Sequence, residues 1–169
     1  MRPQVDAAGA GTAEAMPELP SVEMGPASVG SHSRAPRGYQ ACGIIYFVEA
    51  ESPFHAAVRQ SVQRFRGDPK SRLITSRLSR LECRVKPLRD SDQPLLVKYD
   101  AFFKRRRLIV GDVTAHIIER ATELRARHRF KTPDAIHLAT AIAEHADLFL
   151  TGDNDLRRCT EVQVEVLQL

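Results

Sequence analysis

The feature that most constrains the fold of this 169-residue chain is an alternation of short apolar runs with longer stretches of helical periodicity. The apolar runs, which we interpret as strands, are residues 43–48, 72–74, 108–113, 148–150 and 162–167. Strands that alternate with helices form parallel sheets covered by helices on both faces. We therefore predict a three-layer α/β fold, in which a central parallel sheet carries its binding site at the carboxyl ends of the strands.

Helix-start signals precede each predicted helix. A Ser, Thr or Asp at the cap and a Pro in the first turn favour initiation. The predicted starts are Ser52-Pro53, Thr75 or Ser76, Asp92-Gln93-Pro94, Thr114, and Thr132-Pro133-Asp134. In the helix that begins at Thr75 or Ser76, we expect Leu78, Leu81 and Val85 to form the inner face.

The first 38 residues differ in composition from the rest of the chain. Residues 1–40 hold five of the nine Gly and five of the ten Pro, and their single aromatic residue is Tyr39. A segment with so little apolar surface to bury cannot offset the entropy lost on ordering its backbone. We therefore predict that residues 1–38 are disordered or a non-native extension, and that residues 39–169 form one domain.

Composition also excludes several classes of protein. No apolar stretch approaches the ~20 residues that a membrane span requires, and acidic residues interrupt the region where a secretory signal would lie. We therefore expect a cytoplasmic protein without membrane contact. Cys42, Cys83 and Cys159 lack the spacing of zinc ligands and are odd in number, which indicates reduced, buried thiols.

Charge is distributed unevenly along the predicted domain. Residues 59–107 carry fifteen Lys and Arg against five acids, whereas residues 108–169 carry seven against ten. Such a field suits a polyanion that is held by one region while carboxylates act in another. For any single Arg, a solvated helix face is the alternative interpretation.

Four carboxylates have positions that favour a shared site. Asp134 lies in the first turn of a predicted helix, where free N–H groups and the helix dipole favour a negative charge. Asp153 and Asp155 follow the end of a predicted strand, and Glu82 lies beside a predicted core face. Such an oxygen-rich cluster suits Mg²⁺ or Mn²⁺. His137, three residues after Asp134, is predicted to be a buried structural histidine.

Three segments together resemble the PIN domain, and most closely the VapC-type toxin ribonucleases. They are residues 44–50 (IIYFVEA), 73–89 (LITSRLSRLECRVKPLR) and 130–156 (FKTPDAIHLATAIAEHADLFLTGDNDL). The resemblance is strongest where TPDAIHLATA is followed by FLTGD. It implies a PIN-like fold over residues 39–169, an acidic pocket that binds Mg²⁺ or Mn²⁺, and hydrolysis of RNA phosphodiesters by the toxin of a toxin–antitoxin pair.

The resemblance also assigns roles to individual residues. Glu82, Asp134 and Asp153 match catalytic and metal-binding acids, and Asp155 matches a further metal-binding acid. Thr151 is a supporting residue that hydrogen-bonds a carboxylate or a bound water, or else simply ends the strand. The basic stretch would hold the RNA backbone through Arg77, Arg80, Arg84, Lys104, Arg105, Arg106 and Arg107. A cognate antitoxin and a homodimer are the implied protein partners.

One position departs from the family pattern. In the family, an Asp normally ends the first strand. Gln40 aligns with that position, and we assign it a supporting role in the site. Gln offers a metal a neutral oxygen and removes one negative charge, so we expect impaired catalysis. The alternative function is an inactive PIN-domain module that binds an antitoxin-like protein or RNA. A third, another Mg²⁺-dependent phosphotransfer domain, would need a nucleophilic Asp at this point.

The departure at Gln40 coincides with the end of the N-terminal segment. Our hypothesis is that the reading frame or the start upstream of about residue 43 is not the ancestral one, through frameshift, misannotation or decay. An LDT-like string in another frame just upstream of codon 43 is the expected result of sequencing the locus.

Overall fold

The computed structural model describes residues 39–41, 44, 48–49, 54–64 and 70–167. The strands are β1 (Tyr39–Ala41), β2 (Leu73–Ser76), β3 (Leu108–Gly111), β4 (Leu148–Thr151) and β5 (Gln163–Val166). The helices of the described segments 54–64 and 70–167 are α1 (His55–Gln63), α2 (Arg77–Arg89), α3 (Gln93–Phe103), α4 (Ala115–His128) and α5 (Thr132–Ala143). A 3₁₀ turn spans Asn154–Arg158. The predictions for residues 1–38 and for Ser52-Pro53 lie outside the described residues.

The five strands form one parallel sheet in the order β3–β2–β1–β4–β5. The central strand is β1, where Gln40 is level with Ile74 of β2 and with Phe149 of β4. Because all the strands run in one direction, their carboxyl ends lie at the same edge of the sheet. The predicted α/β fold with a parallel central sheet is confirmed.

Side chains that alternate along the strands separate two clusters of the core. Leu148 and Leu150 of β4 contact Val62 of α1, whereas Phe149 between them packs with α4 and α5. On the side of Leu73, residues of α2 and α3 pack together, among them Cys83 and the aromatic rings of α3. Helices therefore cover both faces of the sheet, as predicted.

Capping side chains define where three of the helices begin. Ser76 Oγ accepts a hydrogen bond from Leu78 N at 3.2 Å, and Thr114 Oγ1 accepts one from Ile117 N at 3.4 Å. Asp92 does the same for α3. Each cap satisfies a backbone N–H that has no partner within the helix. The predicted helix starts at Ser76, Asp92 and Thr114 are confirmed.

Gly111, at the end of β3, allows the sheet to approach α5 closely. A Cβ added there would lie 2.7 Å from Thr140 Cγ2 and would also touch Glu144. A larger residue would therefore require the Thr140 side chain or the helix to shift. This contact helps to fix α5, which carries Asp134.

The prediction of a strand over residues 43–48 is wrong at Ile44 and Val48, while residues 43 and 45–47 lie outside the described residues. Ile44 and Val48 are helical, and the strand is the preceding segment Tyr39–Ala41. Residues four apart lie on the same helix face, and Ile44 and Val48 pack against the cluster that contains Cys83. A short apolar run does not by itself distinguish a buried strand from a buried helix.

The predicted inner face of α2 is also wrong. Leu81 and Val85 are 59% and 54% exposed, and the residues buried along the helix are Ser79, Cys83 and Pro87. Small side chains bring the helix close to its neighbours, so the larger Leu and Val side chains are left on the outside.

No helix in the described part of the chain is long and apolar enough to cross a membrane.

Candidate functional site

Asp134 occupies the amino-terminal turn of α5. The helix begins at Thr132, and Pro133 stands in the first turn, where its missing N–H is not needed. Ala135, Leu138 and Ala139 are fully buried and anchor the helix against the core. Asp134 is half-buried, because the start of α5 lies at the margin of this core.

Asp153 is held by a network of hydrogen bonds just beyond the end of β4. Its backbone N–H donates to the hydroxyl of the buried Thr151 at 3.0 Å, and its carboxylate accepts from Asp155 N at 2.8 Å. Thr151 therefore fixes the turn that follows the strand. It is a backbone N–H, not a carboxylate, that this hydroxyl contacts here.

Glu82 reaches the same region from α2. Its Oε2 lies 3.0 Å from Nε2 of His137, which belongs to α5 and is 2% exposed. The carboxylate itself is 37% exposed. This contact joins residues 55 positions apart in the sequence. The prediction that His137 is buried is confirmed, and its partner is an acid of the candidate site.

The pKa of Asp134 shows that the three acids share one neighbourhood. Burial raises this pKa, and the negative charges of Asp153 and Glu82 raise it further. His137 and Lys131 act in the opposite direction without cancelling the effect. Nearby like charges disfavour ionisation of a carboxyl group, so both acids lie near enough to Asp134 to affect its ionisation. The structure therefore brings together Glu82, Asp134 and Asp153.

The donors of this acidic pocket, defined as Glu82, Asp134 and Asp153, match the chemistry of a hard divalent cation. Carboxylate oxygens are the ligands that Mg²⁺ and Mn²⁺ prefer, and a cation would offset the repulsion around Asp134. Among the described residues, however, no three His, Cys, Asp or Glu side chains are close enough to enclose a metal ion. The pocket fits a cation by its donor type, and the side chains form an open arrangement rather than a closed cage.

Two other predicted site residues have different surroundings. The side chain of Asp155 is 79% exposed, and its Oδ2 lies 3.9 Å from Nη2 of Arg158. The charges that raise the pKa of Asp134 come from Asp153 and Glu82, not from Asp155. The backbone of Gln40 is in the central strand, as its alignment with the first strand of the family requires.

The predicted RNA-binding arginines of α2 are paired with acids of the same chain. Arg77 pairs with Asp112, and both Arg80 and Arg84 pair with Asp100 of α3. With 100° between successive residues, Arg80 and Arg84 project from a different side of α2 than Glu82 does. The residues Lys104, Arg105, Arg106 and Arg107 are exposed after the end of α3.

The contact between His137 and Glu82 is the feature of this site that sequence reasoning missed. The signal was present in part, because a carboxylate at the border of a buried face requires a partner. Nothing in the spacing of α2 and α5 along the chain identifies which residue that partner is.

The fold and this site define an α/β domain with an acidic pocket beside the carboxyl ends of a parallel sheet. The family model described as PIN domain matches residues 41–162. The chain belongs to the PIN domain family. The match begins one residue after Gln40. No curated protein matches the sequence.

Several solved structures share this fold, among them the following three. VapBC2 from Rickettsia felis, bound to a DNA fragment from its promoter, matches with a TM-score of 0.63 and 16% identity over 78% of this chain and 99% of that one. A toxin–antitoxin complex from Klebsiella pneumoniae matches with a TM-score of 0.52 and 18% identity, over 74% of this chain and 94% of that one. Mycobacterium tuberculosis VapC20, a sarcin–ricin loop cleaving toxin, matches with a TM-score of 0.57 and 19% identity, over 75% of this chain and 98% of that one.

Proposed function

We propose that this protein is a metal-dependent endoribonuclease, the toxin of a toxin–antitoxin pair, with a site weakened by Gln40. The observation that carries the proposal is the acidic pocket, where the pKa of Asp134 is raised by burial and by neighbouring carboxylates. Carboxyl groups whose pKa is shifted by burial and by nearby charges cluster at functional sites. The solved VapBC complexes of the same fold support the assignment to a toxin.

Glu82, Asp134 and Asp153 would hold the cation, and the chemistry at the site follows from their placement. A bound Mg²⁺ or Mn²⁺ supplies a nucleophile at neutral pH and offsets negative charge on the phosphate. Asp134 lies at the start of α5, where the positive end of the helix dipole favours a negative charge. Thr151 fixes the turn that presents Asp153. Asp155, whose carboxylate is exposed, would be an additional metal-binding acid at the margin of the site.

RNA would be held by the exposed basic segment that follows α3. Lys104, Arg105, Arg106 and Arg107 attract a phosphate backbone, and binding would weaken strongly as salt is raised. The pairing of Arg80 and Arg84 with Asp100 reduces the charge that α2 offers. We therefore expect the segment 104–107 to contribute more to the salt dependence than α2 does.

Cleavage of RNA by the purified chain tests the proposal. With Mn²⁺ present, we expect slow cleavage by the unaltered protein, none by Asp134→Asn, and faster cleavage by Gln40→Asp. Glu123→Gln is the matched control, because Glu123 is an exposed acid on α4 that pairs with Arg120. Absence of cleavage by both the unaltered protein and Gln40→Asp would contradict the nuclease function.

An exposed apolar stripe on α2 supports protein binding as a second function. Leu81, Val85 and Leu88 are each more than half exposed and follow one another at helical spacing. Contiguous apolar surface of this kind marks interaction sites. Because the flanking arginines Arg77 and Arg84 are already paired with acids, two copies can meet here without strong repulsion.

We propose that this stripe joins two copies of the chain in a homodimer. We also propose a cognate antitoxin as a partner and the cytoplasm as the location. Light scattering should give the mass of a dimer for the unaltered protein and of a monomer for a Leu81→Glu, Val85→Glu double variant. A mass that is the same in both proteins would contradict this interface.

A further inference from the structure

A buried histidine contacts Glu82 and shares helix α5 with Asp134. His137 lies three residues after Asp134 on α5, so both side chains project from neighbouring positions of one helix face. Its ring is 2% exposed and its Nε2 lies 3.0 Å from Glu82 Oε2. An ionised carboxylate can only accept hydrogen bonds, so Nε2 carries the hydrogen in this contact. The ring is fixed by the core, whereas Glu82 extends from a helix into a partly solvated space.

We propose that His137 is a positioning residue, which holds one oxygen of Glu82 so that the other is oriented toward a divalent cation. This inference rests on the proposed metal-dependent function. Glu82 has three rotatable side-chain bonds and is 37% exposed, so without a partner it would sample many orientations. A hydrogen bond from the buried imidazole limits that freedom before the cation binds.

The same arrangement explains how the pocket stays open yet ordered. Side chains that hydrogen-bond a metal-binding carboxylate set its orientation, and their loss typically weakens metal binding by about 10- to 100-fold. His137 makes this contact across the gap between α2 and α5, two helices that belong to opposite faces of the sheet. The bond therefore couples the position of Glu82 to the helix that carries Asp134.

Mn²⁺ titrations of the full chain, followed by electron paramagnetic resonance, test this role without measuring cleavage. We expect His137→Leu and His137→Asn to weaken Mn²⁺ binding by about 10- to 100-fold. His137→Gln should retain affinity, because its amide N–H reaches the position of Nε2, whereas the shorter Asn does not. Thermal unfolding without metal gives the control for folding. If His137→Leu does not fold, the Gln and Asn variants decide the question.

A double-variant experiment separates positioning from a general effect on the fold. In a Glu82→Gln background, His137→Leu should cause no further loss of Mn²⁺ affinity, because its effect acts through Glu82. An equal loss in both backgrounds would overturn the inference, as would unchanged affinity in the Leu and Asn variants. Absence of Mn²⁺ binding by the unaltered chain and by Gln40→Asp would instead overturn the proposed function.

Discussion

Asp134 and Glu161 are two partly buried carboxylates of one domain whose surroundings have opposite effects. Burial raises the pKa of Asp134, and the charges of Asp153 and Glu82 add to that effect. Burial also disfavours ionisation of Glu161, but hydrogen bonds from Cys159, Thr160 and His128 outweigh it and lower its pKa to about 2. Asp134 is thus surrounded by acids, and Glu161 by donors.

The contacts of Glu161 show what a structural carboxylate requires. Its Oε2 accepts from Thr160 N at 2.9 Å and lies 3.3 Å from His128 Nε2, and Arg127 pairs with Oε1. This network joins the end of α4 to the segment before β5. Asp134 has no comparable set of donors among the hydrogen bonds of the described residues. Burial alone therefore does not distinguish the two carboxylates, whereas the charges and donors around each of them do.

The largest expected difference between the two regions concerns catalysis. Asp153→Asn should reduce RNA cleavage by on the order of 100-fold or more, because it removes a charge from the site that would hold the cation. Glu161→Gln should leave the rate within about twofold, since Glu161 contacts only structural donors. Single-turnover cleavage of RNA with Mn²⁺, at a temperature where both variants are folded, makes the comparison. A similar loss in both variants would erase the distinction.

The free energy of unfolding should depend on Glu161, although catalysis should not. Glu161→Gln removes the charge that faces Cys159, Thr160, His128 and Arg127, and it should lower the free energy of unfolding by about 1–3 kcal/mol. Urea denaturation at neutral pH measures the change. Glu119→Gln, an exposed acid of α4, is the control and should remain within about 0.5 kcal/mol of the unaltered protein. A loss no greater than that of the control would show that the network around Glu161 is not stabilising.

The pH dependence follows from the lowered pKa of Glu161. Its ordinary value is 4.5 and its folded value is about 2, so the ionised form favours the folded state. This contribution is present above about pH 4.5 and is lost as the pH falls toward 2. The stability difference between the unaltered protein and Glu161→Gln should therefore shrink over that interval. A difference that stays constant down to pH 2 would contradict the shift.

Local sequence signals predicted one side of the candidate site well. Thr132-Pro133-Asp134 begins α5 as expected, and the continuous apolar run before Asp153 is the buried strand β4. Both signals are local, since a helix start and a buried strand depend mainly on adjacent residues. Asp134 and Asp153 could therefore be placed on the correct elements without a structure.

The side of the site that depends on α2 could not be predicted as well. The Leu and Val residues indicated the wrong inner face, because Cys83 and other small residues are what allow close packing of this helix. The hydrogen bond between Glu82 and His137 spans 55 positions and depends on how two helices meet. Periodicity describes each helix separately and carries no information on such a pairing.

The smallest effect tests the repulsion around Asp134 directly. In the absence of metal at pH 7, Asp134→Asn should raise Tm slightly, because the variant carries no negative charge beside Asp153 and Glu82. Because burial and like charges raise the folded pKa, ionisation destabilises the fold, and wild-type stability falls as the pH rises through that pKa. The gain should therefore vanish below the ordinary pKa of 3.8, where Asp134 is protonated in both states. Calorimetry in chelator at several pH values measures it, with Glu123→Gln as the control. A lower Tm for Asp134→Asn at pH 7 would mean that the helix dipole outweighs the neighbouring acids, and that Asp134 resembles Glu161 after all.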